Sequence, residues 1–199
     1  MKGKTLSEFD LPKVAAGRFL PYILQVMAKR EILLLGNSVL RKKCTAIKKN
    51  EIADCASTVA DLHDTLSDFR LRNGFGRGIA APQIGVTKQL IYIDFEYTGP
   101  LFNPRIVKRS KKKFQLWDDC FSFPGLLVKV ERNYAIAVEF LTEHGKKSTL
   151  EAEGALSELL QHEIDHVNGI LAVDRAIDSR HIILRSEYDK LKSGSAQTM

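Results

Sequence analysis

Gln161-His162-Glu163-Ile164-Asp165-His166-Val167-Asn168-Gly169 carries two histidines four residues apart with an acid between them. An α-helix advances 3.6 residues per turn, so His162 and His166 project from one face about a turn apart, close enough to share one metal ion. Glu163 leans toward the same ion, where a carboxylate takes a proton from activated water and returns it to a leaving group. That is hydrolase logic. Gly169 suits a helix C-cap, because glycine alone enters the left-handed conformation without steric cost.

A histidine pair at this spacing also arises by chance on solvated surfaces, so the rest of the chain must decide. A catalytic metal usually has three protein ligands and an open position. In metzincin proteases the third is a histidine six residues past the second, but that place is Ala172, which has no donor atom. Nothing marks Glu187 as a downstream alternative, so the third ligand is sought upstream.

The chain has 199 residues, 44% of them hydrophobic, which suits one domain with a substantial core. A net charge of +6 hints at acidic surroundings, yet much of the excess sits in Lys108-Arg109-Ser110-Lys111-Lys112-Lys113, read as a solvated turn between strands. Three cysteines, an odd number spread over the chain, argue against a secreted disulfide framework and for a reducing cytoplasm. Residues 1–29 read as an N-terminal extension with a short helix. The apolar stretch from Phe19 to Met27 is broken by Pro21 and too short to span a bilayer; an organellar transit peptide is the alternative to a cytoplasmic location, with Glu8 and Asp10 counting against it.

Asn50 is a candidate helix cap, followed by an apolar stripe of Ile52, Cys55, Val59, Leu62, Leu66 and Phe69 that predicts a core-packing helix, with His63 just off it. Strands are expected at 89–95, 103–108, 114–117, 126–132, 134–142 and 148–153. The predicted fold class is therefore α+β, mostly antiparallel β-sheets packed around a central metal-binding helix. Residues 30–178 are expected to form one main domain, and 179–199 a C-terminal helix with a flexible tail.

Before the first strand, Gly74-Phe75-Gly76-Arg77-Gly78-Ile79-Ala80-Ala81-Pro82-Gln83 is dense in glycine, which lets the backbone approach another group closely. Gln83 offers an amide N–H to a developing oxyanion. A tight loop or a phosphate loop looks similar, but no Gly-Lys-Ser/Thr follows. Later, Asp118-Asp119-Cys120-Phe121-Ser122 sets a thiol beside two acids, where it has little reason to ionise unless a cation sits on it. An inert buried cysteine is the competing reading.

These three stretches, in this order, resemble the peptide deformylases. The family's G-x-G-x-A-A-x-Q is matched by Gly76, Gly78, Ala80, Ala81 and Gln83, and its Q-H-E-x-D-H by Gln161, His162, Glu163, Asp165 and His166. Its E-G-C-L-S is matched only at Cys120 and Ser122; Asp118-Asp119 replace Glu-Gly, and Phe121 replaces leucine. The resemblance implies that Cys120, His162 and His166 bind one divalent metal, ferrous iron natively with zinc or nickel as substitutes. Glu163 would move protons, while Gln83 and the backbone N–H of Phe121 stabilise the oxyanion. The substrate, an N-formylated nascent peptide, would lie against Gly76, Arg77, Gly78, Ile79, Glu158 and Leu159, losing formate.

The same reading expects Arg77 and Glu158 to pair near the pocket for the first side chain, making it more polar or narrower than one built for methionine. Both pointing to solvent is the competing expectation. An altered specificity or a non-catalytic binding role is the alternative to a working deformylase, suggested by Asp118-Asp119 and Phe121. A weak ribosome contact through residues 181–192 follows by analogy, against an ordinary solvated helix.

Overall fold

In a computed structural model, which describes residues 29–195, eight strands form two antiparallel sheets around one buried helix. The expected N-terminal extension over 1–28 and the last four residues lie outside that span. β1 (Gly78–Ala80), β2 (Leu90–Asp94), β3 (Thr98–Arg109), β6 (Ala135–Leu141) and β7 (Lys147–Glu153) make a sheet in the order β1-β2-β3-β6-β7. β4 (Lys113–Asp118), β5 (Leu126–Asn133) and β8 (Ile182–Leu184) make the second, with β5 central. The antiparallel α+β expectation holds. Two strands escaped it, β1 and β8, each of three residues.

The first helix starts later than its cap suggested. Residues around Asn50 form short 3₁₀ turns, and α1 runs over Ala56–Asn73, ending at left-handed Gly74. Ile52, Leu62, Leu66 and Phe69 are nonetheless buried as the stripe required, while Cys55 and Val59 are half-buried and His63 is exposed.

β2 shows why both faces of the larger sheet are covered. Successive side chains of a strand point to opposite faces. Accordingly Ile91 and Ile93 join Leu156, Leu160 and Ile164 of α2 (Gly154–Val167), whereas Leu90 and Tyr92 join Leu62, Leu66 and Phe69 of α1. Eleven of the 14 residues of α2 are buried, and it touches strands of both sheets, so a helix carrying polar motif residues sits at the centre of the molecule. It stops where expected: Asn168 caps it and Gly169 follows at φ +76, its α-hydrogen side facing the Arg41 carbonyl so closely that a Cβ would lie 2.6 Å from that oxygen. No helix among the described residues is long and apolar enough to cross a membrane.

Candidate metal centre and active site

The polar residues of α2 divide into fasteners and reactants. Gln161 accepts from the Asn133 N–H at 3.1 Å and donates to the Asn133 carbonyl at 2.9 Å, locking the helix to the end of β5. Asp165 takes Arg132 on one side and Arg175 on the other, the latter at 2.8 Å. With those two positions tied down, His162 and His166 turn inward.

Their Nε2 atoms lie 3.2 Å apart, and the Cys120 sulfur lies 3.2 Å from His166 Nε2. One thiolate and two imidazoles are a donor set for a tetrahedral transition metal, for which bonds of 2.0–2.1 Å to nitrogen put two ring nitrogens about 3.4 Å apart. The donors, all buried and mutually within 4.8 Å, therefore fit one cation. Cys120 reaches them from the loop after β4, in a small cluster with Leu40, Phe123, Val128 and Leu171.

Behind His162 stands Asp118, whose Oδ1 is 2.9 Å from Nδ1, close enough for ion pairing although off the line of a straight hydrogen bond. Burial alone would lower the His162 pKa, but the Asp118 carboxylate and, to a smaller extent, Cys120 together outweigh it and raise it well above its ordinary value. For His166, burial and the neighbouring His162 charge act together and hold the ring neutral, which is the ligating form. Arg132, 4% exposed at its side chain, reaches Asp118 at 3.1 Å as well as Asp165, so one guanidinium joins the strand that precedes Cys120 to the helix that carries the histidines. Sequence reasoning missed Arg132 because nothing local distinguishes it from other basic residues of β5.

A cleft of about 570 Å³ opens in front of these donors, lined among others by Gly76, Arg77, Gly78, Gln83, Asp119, Phe121, Glu158, Leu159 and Glu163. Glu163 is 3% exposed, and its Oε2 has no hydrogen-bond partner among the described residues. Burial pushes its carboxyl up to about 7; His162 opposes this, and the charges of Asp118 and Glu158 reinforce it. Gln83 has its amide orientation set, since Oε1 accepts from the Ala80 N–H at 2.9 Å and Nε2 must then face Ser122 Oγ at 3.3 Å and the Cys120 sulfur at 3.7 Å. Gly78 shows why glycine is needed here: a Cβ would sit 3.1 Å from Glu163 Oε1 and 3.0 Å from Ile93.

Two expectations about the cleft wall come out differently. Arg77 and Glu158 do pair, Nη2 to Oε2 at 2.7 Å, with Glu158 buried and Arg77 half-exposed against the Phe95 ring. Ile79 does not line the cleft. It alternates away from it along β1, and its side chain is fully buried among Leu62, Leu66 and Phe69. The sequence also did not single out Phe75, Arg70 and Asp94, which border the cleft, the last two paired at 2.7 Å.

The family model for polypeptide deformylase matches residues 29–181. A peptide deformylase of Desulfitobacterium hafniense is 40% identical over 153 residues, covering 75% of this chain and 96% of that one. One from Rhizobium meliloti is 37% identical over 154 residues, covering 74% and 85%. Among solved structures, the Synechococcus elongatus peptide deformylase in complex with actinonin superposes with a TM-score of 0.70 at 32% identity, covering 78% of this chain and 83% of that one. The Legionella pneumophila enzyme superposes at 0.69 with 34% identity, covering 86% and 100%. With its three motifs gathered on one cleft and this likeness running through both sheets and the helix between them, the chain belongs to the peptide deformylase family.

Proposed function

We propose that Cys120, His162 and His166 hold one divalent metal, and that Glu163, Gln83 and the Phe121 N–H carry out the remaining chemistry. As a member of its family the chain is a metal-dependent hydrolase that removes the N-terminal formyl group from nascent peptides. A bound ion would supply Lewis acidity and lower the pKa of water. Ferrous iron is the native occupant in this reading, and the mixed thiolate and imidazole donors accept zinc or nickel as well.

The peptide's route is suggested by β1. Among the described residues it is an edge strand, paired with β2, and its Gly78 lines the cleft. An extended peptide can add to such an edge through main-chain hydrogen bonds, which carry no demand on its side chains. The formyl carbonyl then meets Gln83 Nε2, already aimed by Ala80, and the Phe121 N–H, for which the described residues provide no acceptor. Those donors stabilise the charge that grows on the oxygen. Glu163 Oε2, buried and without a hydrogen-bond partner among the described residues, takes the proton from attacking water and delivers it to the departing amide nitrogen.

The observation that carries this reading is the convergence of the three donors with Glu163 and Gln83 on a single cleft. Its test is formyl-Met-Ala-Ser hydrolysis and metal content, measured on wild type and Glu163→Gln. Turnover should fall about 10²- to 10⁴-fold with metal retained; a variant that loses its metal instead would make Glu163 a ligand.

The altered-specificity alternative draws support from the Arg77–Glu158 pair, since an ion pair in the cleft wall gives an apolar side chain less to bury against. Under it, Arg77→Ala shifts the preference among formyl-peptides toward methionine. A weak ribosome contact through residues 181–192 gains little from the exposed face there, where Lys190 and Lys192 alternate with Glu187 and Asp189.

A further inference from the structure

Two of the three departures from the second motif, Asp119 and Phe121, flank the proposed sulfur ligand on either side, and each has found a partner from elsewhere in the chain. On one flank, Asp119 Oδ2 receives Arg185 Nη2 at 2.7 Å. On the other, the Phe121 ring stacks on Phe69 with centroids 3.8 Å apart and meets Phe75 edge-on at 6.3 Å. Gly76 makes room for that ring, since a Cβ there would stand 2.7 Å from Phe121 Cζ.

Arg185 touches both arrangements. Its guanidinium lies 4.5 Å over the Phe75 ring, and Phe75 in turn abuts Phe69 and Phe121. Its Nε donates to the Pro124 carbonyl at 2.9 Å, and its backbone N–H donates to the Gly125 carbonyl at 2.9 Å. The residue thus grips the loop 119–125 at three points and the glycine-rich loop at a fourth. Its own place is fixed by β8, which pairs Leu184 with Leu126 and Ile182 with Val128.

We propose that Arg185, four residues beyond the matched family region, is a positioning residue for the active site, holding the Asp119 flank of Cys120 directly and the Phe121 flank through Phe75. β8 and the start of α3 (Arg185–Ser195) then back the cleft wall from outside it, through Asp119 and Phe75, which line it. Asp119 in place of glycine is what makes the arginine effective, because a glycine would offer it no anion. The inference deepens the deformylase reading by assigning the support of its sulfur ligand.

Its test reads the sulfur itself as well as turnover. The full chain, stripped of metal by a chelator, is alkylated with iodoacetamide, and Cys120 and Cys44 are followed separately by peptide mass. Both thiols are buried, at 2% and 4% exposure, so Cys44 reports general loosening. Arg185→Met should speed alkylation of Cys120 about tenfold, the combined size of an ion pair, a cation–π contact and a hydrogen bond, with Cys44 unchanged. Asp119→Asn should give part of that increase, and the double variant little more than Arg185→Met alone, since coupled sites are not additive. In the metal-loaded chain, kcat/KM for formyl-Met-Ala-Ser should fall in the same order.

Equal acceleration at both cysteines, no acceleration at Cys120, or simple addition in the double variant would each overturn the proposal. If Arg185→Met does not fold, Asp119→Asn decides alone, because it removes the charge of the anchor and keeps its shape. A wild type without turnover would refute the deformylase reading while leaving the alkylation result to judge Arg185.

Discussion

His162 and His166 reach the proposed metal centre from one turn of a helix, whereas Cys120 reaches it from a loop, and the two halves are held by different means. The helical half is rigid by construction: backbone hydrogen bonds set the spacing, and Gln161 and Asp165 fasten α2 to its surroundings. The loop half has no such internal rule. Cys120 is placed by Arg132 acting through Asp118, by Gln83 at 3.7 Å from its sulfur, by the stacked Phe69 and Phe121 rings, and by Arg185 on Asp119. A ligand pair can be specified by spacing in a dozen residues, while a single ligand on a loop needs partners collected from the whole chain.

The largest expected effect comes from removing the one group that serves both halves. Arg132→Met leaves the buried Asp118 without its guanidinium and Asp165 with Arg175 alone, and should cost about 3–5 kcal/mol in chemical denaturation. A loss below about 1 kcal/mol would mean that the halves stand independently. Asp118→Asn, next in size, removes the carboxylate behind His162 and should weaken metal binding about 10- to 100-fold in a competition titration. Because Asp118 sits on the strand and acts on the helix, an unchanged affinity would show that α2 orients its own ligands.

Gly76→Ala tests the loop half alone. The residue has φ +134 and no room beside Phe121, so the substitution should cost about 1–3 kcal/mol and lower kcat/KM while leaving metal content intact. Loss of metal would instead show that the Phe121 ring governs the sulfur directly.

The smallest effect concerns Cys44, at the edge of the core far from both halves in role. Burial pushes its thiol up to about 11 from the usual 9.0. At neutral pH the group is protonated in both folded and unfolded chains and contributes no pH dependence. As pH rises past 9 the unfolded chain loses its proton first, so stability should decline from there toward 11, and Cys44→Ala should flatten that slope in urea melts taken from pH 8 to 11. Rapid alkylation of native Cys44 at pH 8 would contradict the shift.

The same contrast explains what could be read from the residues. The helix that carries the two histidines, its end at Gly169 and six of the strands were legible, because each rests on a local period or cap. β1 and β8 were not: three residues hold no alternation, and Gly-Ile-Ala becomes a strand only because β2 lies beside it. The 3₁₀ turns before α1 were missed for a related reason, since apolar spacings of three and four fit either helix over so short a run. In the cleft, Arg77 facing Glu158 followed from helical position, yet Arg185 facing Asp119, 66 positions apart, had no signal at all. Ile79 was misplaced because a strand's alternation had not been assigned to its loop.

Arg132 has one more consequence. It ties Asp118 to Asp165 by charges that are the protein's own, so the strand leading to the sulfur and the helix carrying the two rings are joined by a contact that involves no ion. If the three donors hold a metal as proposed, the centre is a socket rather than a knot, its walls joined by groups other than the guest.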